Sequence, residues 1–521
     1  MRKLPVSILS LPLASLALIA SLRAQQPAAT LTLDASQTGP VINRNIYGHF
    51  TEHLGHCIYE GIWVEPDSSI PNVRGIRSDV VAALKKLNVP QVRWPGGCFA
   101  DEYHWRDGIG PRESRPAMIN THWGGVVENN HFGTHEFLDF CEQVGCAPYI
   151  CLNVGSGTVQ EAMEWVEYMT SDADSPMANL RRKNGRDKPW KVPYLAIGNE
   201  SWGCGGNMTP QFYADNFRRY NTFVKNYVPG PEGRITRVAC GPDGSNYDWT
   251  ETLMKGVGNR MQGLALHNYT LPTGNWRAKG SATQFGEDQY FSTLVNAIRM
   301  DELVTKHSAI MDKYDPQKRI GLVVDEWGVW TDVEPGSNPG FLYQQNSLRD
   351  AIVAALHLNI FQTHADRVTM ANIAQMINVL QSVILTDKEK SLLTPTYWVF
   401  EMFKVHQGAT SLPITLTTPD YVAGEKKIPA VSASASRDKD GKIHLSLANC
   451  DPTKPIALAC TLTGLTAKSV TGRVLTAPAV NSINTFAAPH TVEPVNFDGA
   501  KLNGTALSVT LPAKSVVVLE L

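Results

Sequence analysis

The sequence lacks an excess of charge of either sign. Its 47 lysine and arginine residues nearly balance its 49 aspartate and glutamate residues, and the formal net charge is −2. A chain of this kind has no long-range electrostatic attraction for nucleic acid or for an anionic membrane surface. We therefore expect no nucleic-acid partner, and the charge balance is compatible with a neutral substrate.

The sequence also lacks the motifs of common metal and cofactor sites. None of its nine cysteines forms a CxxC pair, which argues against a structural zinc site. His49, His53 and His56 lie close together, but their spacing does not match the HExxH zinc motif. We expect neither a metal ion nor a cofactor. Because nine is an odd number, the cysteines cannot all pair within the chain, and a bridge between Cys450 and Cys460 stays open as one alternative.

Beyond residue 24 the chain has no apolar run long enough to span a bilayer. Residues 1–24 differ, because a short basic start precedes the apolar run Leu4–Leu22, and Ala24 ends a stretch of small residues. This layout is typical of a signal peptide that is cleaved after Ala24. We therefore expect a secreted or periplasmic protein with no membrane span after cleavage. An uncleaved membrane anchor is the alternative, and Pro5 and Pro12 argue against it.

Short apolar runs alternate with helical patterns from Asn43 to about His406. The apolar runs lack polar alternation, as is typical of parallel strands that are buried on both faces. Eight strand-then-helix units over this length predict a (β/α)8 TIM barrel for residues 43–406. An open doubly wound sheet is the alternative, and the absence of a GxGxxG turn after any early strand weighs against it. The predicted strands are Ile46–Phe50, Gln91–Trp94, Pro148–Val154, Tyr194–Ile197, Arg237–Cys240, Leu264–Leu266, Ile320–Val324 and Val368–Ile373.

The pattern changes to short alternating strands in residues 407–521. Lys442–Asn449 alternates apolar residues with polar or small ones, and Leu507–Leu511 and Ser515–Leu521 also have the composition of strands. Glycine, proline, threonine and asparagine fill the gaps between them. This pattern predicts an antiparallel β-sandwich domain. The strand-like segment Ala29–Leu33, within residues 28–42, precedes the barrel and is expected to join that sandwich.

Two glutamates follow predicted barrel strands at the carboxyl ends, where barrel enzymes place catalytic groups. Glu200 follows the fourth strand and Glu326 follows the seventh, so the two lie across the barrel mouth from each other. Glycoside hydrolysis requires such a pair of carboxyl groups, which a retaining enzyme holds about 5–5.5 Å apart. The acid must also keep its proton near neutral pH, through burial or a neighbouring carboxylate. Trp202 and Trp327, beside the two glutamates, offer apolar faces on which a sugar ring can stack.

Several motifs together resemble family 51 glycoside hydrolases, the α-L-arabinofuranosidases. The Asn-Glu pair is shared by the wider clan of barrel glycosidases, whereas GHFTEHLG together with WGCGGNM is much more specific. The resemblance implies a (β/α)8 barrel with a C-terminal β-sandwich. It also implies a homo-oligomer, because family members often form hexamers. The motifs run in order through nearly the whole chain after residue 24: Gly48–Gly55 (GHFTEHLG), Arg93–Trp105 (RWPGGCFADEYHW), Ile197–Met208 (IGNESWGCGGNM), His267–Tyr269 and Asp325–Trp327.

The resemblance implies a retaining, exo-acting hydrolase that works by double displacement. Its substrates would be terminal non-reducing α-L-arabinofuranosyl residues of arabinoxylan, arabinan or their oligosaccharides. Glu200 matches the acid/base and Glu326 matches the nucleophile. Arg93 is expected to hold Glu326 through a bidentate contact, with a salt bridge in the barrel core as the alternative. The positions expected to bind substrate or to orient the site are Glu52, Arg93, Cys98, Asn199, His267, Tyr269, Trp327 and Gln375.

Two other functions remain open from the residues alone. A β-xylosidase or an endo-β-glucanase of the same clan would use the same two glutamates, because substrate choice depends on loops rather than on the fold. A carbohydrate-binding protein on an inactive barrel would require the loss of one carboxylate, and both are present.

Overall fold

The computed structural model describes residues 28–465 and 467–521. Eight parallel strands close into a barrel in sequence order, and Asn372 of the last strand pairs with Gly48 of the first. The predicted (β/α)8 barrel is therefore confirmed. Its strands are Gly48–Phe50, Gln91–Trp94, Ala147–Leu152, Tyr194–Ile197, Thr236–Ala239, Gly263–Thr270, Gly321–Val329 and Val368–Ile373.

The sixth and seventh barrel strands extend further than the apolar pattern predicts. Gly263–Thr270 and Gly321–Val329 pair in parallel as far as Thr270 and Val329. The polar residues that end the apolar runs are therefore still paired within the sheet. The first strand, in contrast, starts two residues later than predicted, because Arg44–Tyr47 forms a short 3-10 helix.

Helices alternate with the barrel strands and cover the outside of the barrel. Sequence features explain where they begin. Thr158, for example, accepts a hydrogen bond from the backbone N–H of Glu161, while the Glu161 carboxylate accepts the backbone N–H of Thr158. The helices are Ser78–Lys86, Thr134–Val144, Val159–Thr170, Pro176–Lys183, Pro210–Phe223, Tyr247–Val257, Glu287–Tyr314, Leu348–Thr363 and Pro395–Phe403. Among the described residues, no helix is both long and apolar enough to cross a membrane.

Two sheets form the C-terminal part of the molecule. The five-stranded sheet has the order Ile414–Thr417, Ala29–Asp34, Ile456–Thr463, Ala506–Leu511 and Ala500–Asn503. The six-stranded sheet has the order Thr410–Leu412, Val431–Arg437, Ile443–Asn449, Ser515–Glu520, Thr471–Leu475 and Val495–Asn496. Neighbouring strands are antiparallel except for Ala29–Asp34, which runs parallel to Ile456–Thr463. The predicted C-terminal antiparallel β domain is confirmed.

Helix Leu348–Thr363 lies between the barrel and the six-stranded sheet and is buried around nearly its whole circumference. A helix that is buried on all sides is typical of the interior of a large protein. Gln362 on this helix bonds to both neighbouring parts of the molecule. Ser434 Oγ of the sheet donates to Gln362 Oε1 at 2.7 Å, and Gln362 Nε2 donates to the Tyr47 hydroxyl, beside the first barrel strand, at 2.6 Å. This helix therefore joins the two parts of the molecule.

Strand Ile443–Asn449 is buried on both faces, although its alternating sequence predicts one exposed face. The polar face lies against helix Leu348–Thr363 and the end of the barrel, where Ser446 is hydrogen-bonded. His406, at the end of the barrel, contacts the hydroxyls of Ser436 and Ser446 through its two ring nitrogens. The alternation of apolar and polar residues in this strand therefore arises because each face packs against a different part of the protein, and neither face is exposed to solvent.

Phe361 on the buried helix supports the seventh barrel strand, because its ring lies 5.5 Å from that of Trp327 in an edge-on contact. We predict that Phe361→Ala lowers the free energy of unfolding by about 3–5 kcal/mol, since it leaves a cavity in the core. Phe212→Ala is the matched control, because Phe212 is 58% exposed and its loss should cost less than about 0.5 kcal/mol. Urea unfolding followed by tryptophan fluorescence measures both, and equal losses would contradict the prediction.

Candidate active site

Glu200 and Glu326 meet at the carboxyl-terminal mouth of the barrel. Glu200 follows the fourth strand, and Glu326 lies within the extended seventh strand. Both contact the same ring nitrogen, since His267 Nδ1 lies 2.9 Å from Glu200 Oε1 and 3.5 Å from Glu326 Oε2. An oxygen of each carboxyl group and a ring nitrogen of His267 all lie within 4.8 Å of one another. The two predicted glutamates are therefore adjacent in space.

Glu326 is fixed by hydrogen bonds to each of its oxygens. Arg93 Nη1 donates to Oε1 at 2.8 Å, and the Tyr269 hydroxyl donates to Oε2 at 2.7 Å. The bidentate contact expected between Arg93 and Glu326 is not formed. The second guanidinium nitrogen, Nη2, instead donates to Asn199 Oδ1 at 2.5 Å. Arg93 therefore bonds one side chain that follows the fourth strand and one that lies in the seventh, and it holds Asn199 and Glu326 in a fixed relation.

Glu200 is a largely but not fully buried carboxyl group close to a second carboxylate. Burial raises its pKa, the charge of Glu326 raises it further, and the contact with His267 opposes both effects. The backbone of Glu200 has a φ of 38°, in the left-handed region that favours glycine. Its side chain is thus held in place by a backbone conformation that few residues with a Cβ adopt.

Asp325 also belongs to the site, although the sequence analysis predicts no role for its side chain. Its Oδ1 lies 3.1 Å from His267 Nε2, and its Oδ2 accepts the Tyr149 hydroxyl at 2.8 Å. Although burial raises it, the pKa of Asp325 is lowered overall by Arg93, His267 and Tyr149. Although burial lowers it, the pKa of His267 is raised well above its ordinary value by Glu326, Asp325 and Glu200. A hydrogen-bonded chain therefore runs from Tyr149 through Asp325 and His267 to Glu200.

Glu52 lines the same pocket from the end of the first strand. Its Oε1 accepts hydrogen bonds from the Phe99 backbone at 3.0 Å and from Trp123 Nε1 at 2.8 Å, while its Oε2 accepts Gln375 Nε2 at 2.9 Å. Burial raises the pKa of Glu52 to about 7 against these bonds, and the charge of Glu326 adds to the rise. The structure thus brings Gln375 and Glu52 together. Trp123 lies in a loop where no sequence signal indicated a role.

Cys98 is joined to Cys204 by a disulfide with a Cα–Cα distance of 5.5 Å. The predicted substrate-binding residue is therefore not a free thiol. Its sulfur still faces the site, 3.9 Å from Glu200 Oε2. Cys450 directly follows strand Ile443–Asn449 of the six-stranded sheet, whereas Cys460 lies in strand Ile456–Thr463 of the five-stranded sheet. Both are free thiols, so the bridge considered between them is not formed.

Trp327 does not line the pocket, and its predicted role as a stacking face is wrong. Successive side chains of a strand point to opposite faces, so Trp327 points away from the barrel interior when Glu326 points into it. Its ring is fully buried and packs against Phe361 and stacks on Phe400. Other tryptophans are less buried: Trp123 donates to Glu52, Trp330 packs edge-on against Tyr269, and Trp202 and the half-exposed Trp276 are also partly accessible.

The three clustered histidines do not converge on one point. His53 contacts Glu128 Oε2 at 2.9 Å, and His56 contacts Glu60 at 3.0 Å on the surface. His49 is buried, without a hydrogen-bond partner among the described residues, and burial lowers its pKa to about 3. The three described side chains therefore do not form one shared site.

Two family models match the chain. The model described as "Alpha-L-arabinofuranosidase 1 domain" matches residues 83–274, and the model described as "Alpha-L-arabinofuranosidase C-terminal domain" matches residues 325–515. A protein of Bacteroides ovatus named "Intracellular exo-alpha-L-arabinofuranosidase" is 55% identical over 509 residues, which are 98% of this chain and 98% of that protein.

Solved structures of similar proteins cover almost the same length. A family 51 arabinofuranosidase from Xanthomonas axonopodis pv. citri superposes with a TM-score of 0.93 at 52% identity, covering 95% of this chain and 100% of that one. An α-L-arabinofuranosidase from Thermotoga maritima, solved as an arabinose complex, superposes with a TM-score of 0.83 at 31% identity, covering 95% of this chain and 99% of that one.

The expected secreted or periplasmic location is wrong by these comparisons. The Bacteroides ovatus relative is named an intracellular protein, and it matches this chain at 55% identity over nearly its whole length. The predicted signal peptide, residues 1–24, lies outside the described residues. The prediction of a signal peptide depended only on the composition of this segment, a basic start followed by an apolar run.

The pKa of Glu52 makes stability depend on pH. Its folded-state value of about 7 exceeds the ordinary 4.5, so the stabilising contribution is complete below the ordinary value and is lost as the pH rises through about 7. We predict that Glu52→Gln abolishes this loss. Between about pH 5 and about pH 8 its free energy of unfolding should fall by about 2–3 kcal/mol less than that of the unmodified protein. Urea unfolding at both pH values measures this.

The exposed Glu389 offers a matched control, because Glu389→Gln should leave the pH dependence unchanged. If the Glu52 variant and the unmodified protein lose stability in parallel as the pH rises, Glu52 does not titrate as described.

Proposed function

The chain belongs to the α-L-arabinofuranosidases of glycoside hydrolase family 51, and we propose that it hydrolyses terminal non-reducing α-L-arabinofuranosyl residues by double displacement. One observation carries the mechanism. An oxygen of Glu200, an oxygen of Glu326 and a nitrogen of His267 lie within 4.8 Å of one another. Carboxyl groups this close suit a retaining enzyme, because an inverting enzyme needs a wider gap for a water molecule.

Glu326 is the nucleophile in this proposal. The donors Arg93 and Tyr269 bond its two oxygens, and such bonds stabilise the ionised form that must attack the anomeric carbon. Each donor also limits the orientations that the carboxylate can take. The carboxylate is therefore held in one orientation before the substrate enters.

Glu200 is the acid and then the base. In the free enzyme its raised pKa keeps the proton that the leaving oxygen requires. Once Glu326 is bonded to the sugar it carries no negative charge, so one of the two causes that raise the pKa of Glu200 is removed. The pKa of Glu200 then falls, and the carboxylate can accept a proton from the attacking water. His267, held by Asp325, supports this ionised form.

Glu52, Asn199 and Gln375 are the proposed contacts to the sugar hydroxyls. Glu52 accepts bonds from three donors, and Gln375 Oε1 is buried without a partner among the described residues. A buried acceptor of this kind costs free energy until a ligand supplies a donor. The sugar hydroxyls provide such donors, so these residues are suited to bind the arabinofuranose ring.

The polymer that supplies the arabinose stays a proposal, as arabinoxylan, arabinan or their oligosaccharides. We also propose that residues 43–406 carry the site, while residues 407–521 together with strand Ala29–Asp34 brace the barrel. Helix Leu348–Thr363 provides the contact between them. The homo-oligomer that the family resemblance implies stays a prediction.

We predict hydrolysis of an aryl α-L-arabinofuranoside, with much less turnover of the aryl β-xyloside and of β-glucan. Proton NMR of the first product should show arabinose with the anomeric configuration of the substrate, because two displacements restore it. A dominant β-xyloside or β-glucan activity would favour the other enzymes of the clan. An inverted first product would show that Glu326 is not a nucleophile.

Substitutions distinguish the roles of the two glutamates. Glu326→Ala should lower kcat by on the order of 10⁴-fold or more for every leaving group, since it removes the nucleophile. Glu200→Ala should lower kcat by about 10²–10⁴-fold with a poor leaving group, and much less with dinitrophenolate, which needs little acid assistance. The exposed Glu389→Ala is the control and should retain full activity. Identical behaviour of both active-site variants with every leaving group would contradict the assignment.

A further inference from the structure

The disulfide Cys98–Cys204 lies directly against the proposed acid/base. Cys204 Sγ is 3.5 Å and Cys98 Sγ is 3.9 Å from the same oxygen, Oε2 of Glu200. All three side chains are only partly buried, so solutes can reach the group. The proposed catalytic cycle uses neither sulfur for a chemical step. A pair of sulfurs beside a functional carboxylate therefore calls for a separate explanation.

We propose that, when this disulfide is reduced, Cys98, Cys204 and Glu200 bind one Zn²⁺ ion and that this ion blocks the acid/base. Zinc prefers thiolate sulfur at about 2.3 Å and carboxylate oxygen at about 2.0–2.2 Å in a tetrahedral arrangement. A sulfur and an oxygen bound to the same tetrahedral zinc lie roughly 3.5 Å apart by the same bond lengths. Both sulfurs already lie beside the oxygen that would bind the ion, at 3.5 and 3.9 Å. Water would fill the fourth position.

The backbone holds both cysteines in place without the disulfide. The backbone N–H groups of Gly203 and Gly205, on either side of Cys204, donate to the carbonyl of Glu200 itself at 2.7 and 3.1 Å. Phe99, which follows Cys98, donates its N–H to Glu52 at 3.0 Å. Reduction therefore frees the sulfurs to rotate apart about their side-chain bonds, while their Cα atoms stay about 5.5 Å apart.

Charge balance also favours a bound ion. One Zn²⁺ neutralises two thiolates, and the Glu200 carboxylate leaves the group with one negative charge. His267 Nδ1, 2.9 Å from the other Glu200 oxygen, provides a donor that offsets this charge. The site exists only in the reduced protein, because a disulfide sulfur is not a thiolate and binds zinc poorly.

The chemical steps balance with a phosphine as reductant. The S–S bond breaks, the phosphine takes an oxygen from water to become its oxide, and each sulfur gains a proton. Zinc binding then releases the two thiol protons and the Glu200 proton. With its carboxylate bound to zinc, Glu200 can neither donate nor accept a proton, so turnover stops until a chelator removes the ion.

Thiol counting and cadmium titration test the proposal without requiring turnover. Denatured without reductant, the protein should react as seven free thiols, and after phosphine treatment as nine. The phosphine-treated, desalted protein should bind one more Cd²⁺ per chain than the untreated protein. The extra ion should give a thiolate-to-cadmium charge-transfer band. The other cysteines are the same in both states and cancel in the difference.

Activity and variants complete the test. Zn²⁺ at ten times its dissociation constant should lower turnover about tenfold in the reduced enzyme, reversibly by EDTA, and leave the oxidised enzyme unchanged. Cys98→Ser should lose the extra cadmium equivalent, whereas Cys141→Ser, at a cysteine outside the site, should keep it. Equal cadmium binding in both redox states, equal zinc inhibition of both, or an extra equivalent that survives Cys98→Ser would each overturn the proposal. Because cadmium binding is read optically, its failure is distinct from failure of the proposed hydrolase function.

Discussion

The site depends on two buried cations among buried carboxylates. Arg93 contacts Glu326 and lies 3.6 Å from Asp325, and His267 contacts Asp325, Glu200 and Glu326. Carboxylates taken out of water at these distances would repel one another and take up protons. The two cations keep Asp325 ionised, whereas burial and the charge of Glu326 still raise the pKa of Glu200. Different protonation states of neighbouring carboxyl groups are what acid/base chemistry on a sugar requires.

The barrel could be predicted from the sequence because its buried strands form continuous apolar runs that alternate with helical patterns. The carboxyl ends of the sixth and seventh strands could not be predicted in this way. Their last residues are polar, and the pairing there includes register shifts, between Ala265 and His267 and between Val324 and Trp327. These strands extend into the site because they pair with their neighbours there, and such pairing cannot be predicted from a local sequence pattern. The two faces of Ile443–Asn449 are buried for a similar reason, since each packs against a different partner.

The proposed catalytic pair was predictable because strand ends of a barrel converge, and family motifs name the positions. Three features of the site were not predictable from the sequence. Trp327 lies beside Glu326 in sequence yet points to the opposite face of the strand. Trp123 reaches Glu52 from a loop, and loop paths are not encoded in periodicity. The pairing of Cys98 with Cys204 joins two loops 106 residues apart, and nine cysteines permit many other pairings.

The left-handed backbone of Glu200 has a consequence for how this sequence can change. A residue with a Cβ in that conformation costs of order 1–3 kcal/mol, which glycine would avoid. Selection for a more stable fold would therefore favour replacing this glutamate, and only selection for turnover retains it. Attempts to raise thermal tolerance by accepting every stabilising substitution would drift toward an inert barrel, and a functional screen has to accompany them.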